Sequence, residues 1–308
     1  MADADIEIDP ALETAYNCRA AVPEHAAIFE SWAERSASAR HAAGRAFRGN
    51  VPYGPRPRWT LDLFGAGVGG RPRPLLMILH GGYWQAMDKS ASSFLAPSFL
   101  EAGAVVAVVN YPLCPADPLP AITLALREAV QFLWHESTGL GVDRHRFVVA
   151  GHSAGAHLAA ELLCTRWPSL DSSMPLDTLR SAILVSGLFD LEPLCRTTIN
   201  RALGLDADAA RRNSPLYRDP VPGTSVTLAV GEHESDAFHS QSARLLRSWT
   251  AMGANATWVS LPGRHHFSAI EALAEPDSAL YRDALGRLRL PVPRTTADLT
   301  GAKPEPKV

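Results

Sequence analysis

The chain has 308 residues, 46% apolar and 20% charged, the proportions of a globular protein and not of a disordered one. Its 29 basic and 32 acidic side chains leave a net charge of −3, which gives no reason to expect nucleic acid or an anionic membrane as partner. The longest apolar run, residues 102–109 with Gly103 inside it, falls far short of the ~18 residues that cross a bilayer.

The acidic start, MADADIEIDP, carries no apolar stretch of the signal-peptide kind. Cys18, Cys114, Cys164 and Cys195 form no C-x-x-C pair, and the expectation is reduced thiols in a cytoplasmic protein. From about residue 10 to residue 50 the chain reads as helical, with Pro23-Glu24 opening a helix through Ile28, Trp32 and Ser36 to Arg40. Trp59 to Phe64 alternates as a strand does. Leu75 to Leu79, Ala104 to Val109 and Phe147 to Ala150 are short, wholly apolar runs, the pattern of strands buried on both faces. Ala121 to Trp134 has helical spacing, and Ala154 to Leu163 is an alanine-rich helix. Ile183 to Val185, Val226 to Val230 and Ala256 to Leu261 are further strands, with a helix through Leu245 and Leu246 ending near Gly253.

Strands alternating with helices predict an α/β fold, a mostly parallel sheet with helices on both faces. Length alone suggests two domains. The pattern instead predicts one domain over residues 1–290, a small lid-like insertion at about 190–222, and a mobile tail over 291–308.

Three stretches carry chemistry. Gly151-His152-Ser153-Ala154-Gly155 follows a buried strand and opens a helix of small residues. That is the setting of a nucleophile elbow, where a serine on a strained turn needs neighbours without a Cβ. His80-Gly81-Gly82-Tyr83-Trp84 follows another buried strand, and its paired glycines can turn backbone N–H groups toward one point, as an oxyanion hole requires. The N–H groups of Gly82, Tyr83 and Ala154 are the candidate donors. His80 is expected to tie this loop together. Tyr83, Trp84 and His152 are candidate walls of the substrate pocket. A serine nucleophile needs an acid and then a histidine in chain order. The last strand leads into His265 and His266, and the strand before it into Glu232, Glu234 and Asp236. Spacing chooses neither the histidine nor the acid.

Two other patterns fail. Gly65, Gly67 and Gly70 spell G-x-G-x-x-G but lead into RPRP, which cannot open the helix a dinucleotide site needs. The eleven histidines show no metal-ligand spacing. Neither a cofactor nor a metal is expected.

Taken together, HGGYW, NYPLCP (110–115), GHSAGAHLAA, EHESDAFHSQS and the late His-Phe resemble the α/β-hydrolase superfamily. More narrowly, they resemble the kynurenine formamidase (arylformamidase) branch, near the hormone-sensitive-lipase-like esterases. The likeness runs from about Tyr16 to Leu288. It implies Ser153 as nucleophile, Glu234 as acid, three residues after Gly231 where relatives carry aspartate, and His266 as base because it directly precedes Phe267. Asp236 is the runner-up acid. It also implies an acyl-enzyme mechanism on a small amide or ester, with N-formylkynurenine cleaved to kynurenine and formate. A short-chain carboxylesterase is the alternative, and a non-catalytic ligand-binding protein of the same fold a remote one. Self-association into a homo-oligomer is compatible with the sequence.

Overall fold

The computed structural model describes residues 7–292; residues 1–6, on which the signal-segment expectation bears, and nearly all of the expected tail lie outside them. Eight strands form one sheet: β1 (Phe47–Pro52), β2 (Thr60–Phe64), β3 (Arg73–Leu79), β4 (Val105–Val109), β5 (Val142–His152), β6 (Ser181–Val185), β7 (Ser225–Gly231) and β8 (Asn255–Leu261). Their order is β1-β2-β4-β3-β5-β6-β7-β8. β2 is antiparallel to both β1 and β4, and every other pairing is parallel. This is the mostly parallel sheet that the alternation of strands and helices predicts.

The apolar runs are apolar because no face of these strands meets water. All five residues of β4 are buried, as are the last six of β3. β1 begins inside the stretch expected to be helical, about residues 10–50, and runs past its end. It is an edge strand whose residues are half-buried or exposed, so it carries no continuous apolar signature.

The helices are α1 (Pro10–Tyr16), α2 (Cys18–Ala21), α3 (His25–Ala43), α4 (Ala96–Glu101), α5 (Leu119–His135), α6 (Ser137–Leu140) and α7 (Ala154–Leu163). They continue with α8 (Asn200–Leu203), α9 (Ala207–Arg212), α10 (Asp236–Ala251), α11 (His266–Glu271) and α12 (Ala279–Arg287). α7 is buried along its whole length, which explains its small, apolar composition. Residues 186–224 contain no strand; α8, α9 and short 3-10 turns fill them.

Register positions the site. Leu79 at the end of β3 pairs with Gly151 of β5, and Val185 of β6 pairs with His152. The HGGYW loop and the GHSAG turn therefore leave the sheet side by side, at the carboxyl ends of parallel strands where such sheets form their crevices.

Candidate active site

Ser153 sits between β5 and α7 with φ 55° and ψ −118°, a conformation that costs a non-glycine residue about 1–3 kcal/mol. Its N–H donates to Val185 O at 2.8 Å, which pins the turn to β6. The flanking glycines are there for space. A Cβ on Gly151 would collide with the backbone of Gly155, and one on Gly155 with the carbonyl oxygens of Leu79 and His80. The turn thus packs directly against the end of β3.

The HGGYW loop closes over this turn. A Cβ on Gly81 would come within 3.2 Å of Ser153 Cβ and His152 Nδ1. Gly82, Tyr83 and Trp84 all have positive φ, at 106°, 48° and 57°. Among the described residues, the N–H groups of Gly82, Tyr83 and Ala154 have no acceptor. His80 is buried, and its Nδ1 donates to Gly81 O at 2.8 Å while the ring stacks on Tyr111 at 4.2 Å. Burial pushes its pKa down to about 4, so it stays neutral. Trp84 corrects the sequence reading. It is fully buried and does not line the cavity that holds Ser153; its indole N–H donates to His157 Nδ1 at 3.2 Å, behind the loop. Tyr83 does line the cavity.

His266 and Glu234 come together. Glu234 Oε2 lies 2.6 Å from His266 Nδ1, and the carboxylate side chain is wholly buried. Its other oxygen accepts from Ser186 Oγ at 2.5 Å and from Gly231 N–H at 2.7 Å. Burial works against the charge of Glu234, but the His266 imidazole and these donors outweigh it and hold the pKa below the ordinary value. Burial likewise disfavours a charged His266, yet the Cys18 sulfur and the Glu234 carboxylate outweigh it and raise the imidazole pKa.

The competing residues have other tasks. Glu232 Oε2 accepts from Gly263 N–H at 2.7 Å, Asp236 lies in the first turn of α10, and His265 caps α11 by accepting from Phe267 and Ser268 N–H. His152 donates from Nε2 to His266 O at 2.9 Å. Burial, with the neighbouring His266, lowers its pKa to about 3, so His152 stays neutral.

Ser153, His266, His152, Gly82 and Tyr83 line one cavity of about 270 Å³. Most of its other walls come from the N-terminal segment, to which the sequence reading gave no part in the site. Tyr16, Cys18, Arg19, Phe29 and Trp32 all face it, whereas the residue 190–222 insertion contributes Thr198 and Ile199. The two are clasped together: Thr198 donates from N and Oγ1 to the Glu13 carboxylate at 2.8 and 2.7 Å, and Asp9 pairs with Arg196 at 3.1 Å. Cys18 Sγ stands 3.6 Å from the Tyr83 hydroxyl, which donates to Tyr16 O. No motif marks these roof residues. Their only sequence signal is the pair of aromatic positions, Phe29 and Trp32, near the start of α3.

Comparison with known proteins agrees with this architecture. The BD-FAE family model matches residues 61–178. A kynurenine formamidase of Danio rerio is 32% identical over 238 residues, 76% of this chain and 79% of the relative. Among solved structures, a protein provisionally assigned as a thioesterase from Silicibacter sp. is 36% identical with a TM-score of 0.77, covering 87% of this chain and 97% of that one. An esterase of Pyrobaculum calidifontis, 17% identical with a TM-score of 0.66, covers 92% of this chain and 98% of that one and shares the fold. The chain is a hydrolase of the α/β-hydrolase fold and belongs to the kynurenine formamidase family.

Proposed function

We propose that the protein is a serine hydrolase that cleaves aryl formamides, with N-formylkynurenine giving kynurenine and formate. The observation that carries this reading is the 2.6 Å contact between Glu234 Oε2 and His266 Nδ1, in a cavity shared with a serine on a strained elbow. With Nδ1–H held by the carboxylate, His266 Nε2 is left bare to take the proton of Ser153 as its Oγ attacks the carbonyl. Glu234 then stabilises the imidazolium that forms. The unpartnered N–H groups of Gly82, Tyr83 and Ala154 would bind the tetrahedral oxyanion, each worth roughly 3 kcal/mol. His266 next returns the proton to the leaving aryl amine, and water repeats the sequence on the formyl-enzyme.

One feature supports an aryl substrate: Phe29, Trp32, Tyr83 and Phe267 offer flat apolar surface to an aryl group in the cavity that Ser153 lines.

Comparing kcat/KM for N-formylkynurenine with those for p-nitrophenyl acetate and p-nitrophenyl butyrate tests the substrate class. The reading expects the formamide to lead and butyrate to trail acetate. Efficient ester cleavage with no measurable formamide cleavage would make the protein a short-chain carboxylesterase instead.

A further inference from the structure

We propose that Arg19, with Asn17 and Glu13, forms a docking site at the cavity mouth for the zwitterionic α-amino-acid end of the substrate. This rests on the aryl-formamide reading and extends it to how the distal end of the substrate is held. Arg19 is an exposed residue of α2 that lines the same cavity as Ser153 and His266. Among the described residues it pairs with no carboxylate, whereas Arg35, Arg196 and Arg264 each do.

Its position follows from a row of rings. His266 meets Phe267 at 5.4 Å between ring centroids, Phe267 meets Phe29 edge-on at 4.9 Å, and the Arg19 guanidinium carbon lies 5.9 Å from the Phe29 centroid. The cation is thus separated from the catalytic imidazole by two aromatic side chains. An aryl group lying along those rings would carry its far substituent toward Arg19. A guanidinium offers a planar fork of donors that matches a carboxylate.

Asn17 supplies a second donor. Its Oδ1 accepts from Ala20 N–H at 3.1 Å, which sets the orientation of the amide and leaves its NH₂ group without an acceptor among the described residues. Glu13 lines the cavity as well. Both its oxygens accept from Thr198, and each retains acceptor capacity for an ammonium. One cation, one amide donor and one carboxylate complement a zwitterion. Two negative charges would meet repulsion from Glu13.

The test is Arg19→Gln, read as a ratio of kcat/KM values. For formamides the pair is N-formylkynurenine against 2-formamidoacetophenone, which lacks the amino-acid end. For esters the pair is O-acetyltyrosine against phenyl acetate. In each pair the preference for the zwitterionic member falls about tenfold in the variant, the loss of one charge-assisted hydrogen bond. The change appears mainly in KM, and the wild-type preference shrinks as salt is raised. Ratios within twofold of wild type in both pairs overturn the docking site. Absence of formamide cleavage in the wild type overturns the formamidase reading alone, because the ester pair still reports on Arg19.

Discussion

The carboxylate of Glu234 reaches His266 with a side chain one methylene longer than aspartate, and it is held at both oxygens by Ser186, Gly231 and the imidazole. Replacing it by glutamine keeps the shape and removes the charge that fixes the histidine tautomer. Glu234→Gln is expected to lower kcat by about 10⁴-fold, while Asp236→Asn leaves steady-state turnover within a few-fold of wild type. The same histidine predicts a pH profile. It must be neutral to accept the serine proton, and the Cys18 sulfur and Glu234 raise its pKa. The acidic limb of kcat/KM therefore lies above the ordinary imidazole value of about 6.5, with activity rising through it. Sequence order named Ser153 but could not separate Glu232, Glu234 and Asp236. The bonds that distinguish them, to Gly263, to His266 and within the first turn of α10, are made between loops. An aromatic beside a catalytic loop can face either side of it, and Trp84 faces away from the cavity toward His157.

At the scale of elements, the elbow was legible because its glycines record a close backbone approach. Gly155 packs on the end of β3, where any Cβ meets carbonyl oxygens that cannot yield. Gly155→Ala is expected to destabilise the fold by about 3 kcal/mol or more, since rigid overpacking adds to a strained turn; thermal unfolding reads this. The roof was not legible. α3 is buried only at Trp32, Ser36 and Ala39, too sparse a stripe to say what it covers. Trp32 stacks on Phe94 at 5.6 Å and donates to Glu271 at 2.7 Å, so it joins the roof to the body while facing the cavity. Trp32→Ala should cost about 3–5 kcal/mol and raise KM for aryl substrates, both measurable on the purified variant. A variant with native melting temperature and KM would remove Trp32 from both roles.

Across the whole molecule, the buried strands were readable because parallel strands covered on both faces must be apolar throughout. The register of β3, β5 and β6 then follows from their order and brings two separate glycine motifs to one edge. What the sequence could not supply is the closure of that edge by residues 130 and more positions upstream of the nucleophile. The distance from Tyr16, Cys18 and Arg19 to Ser153 along the chain hides a contact that only the folded sheet creates. The central claim is that Ser153, in this crevice, performs the cleavage. It is tested most directly by kcat/KM for N-formylkynurenine, followed as kynurenine release, in the wild type and in Ser153→Ala. The wild type is expected to reach a kcat/KM of at least about 10⁴ M⁻¹s⁻¹, and the variant to lose turnover on the order of 10⁶-fold. Retention of most of the wild-type rate by Ser153→Ala would contradict it.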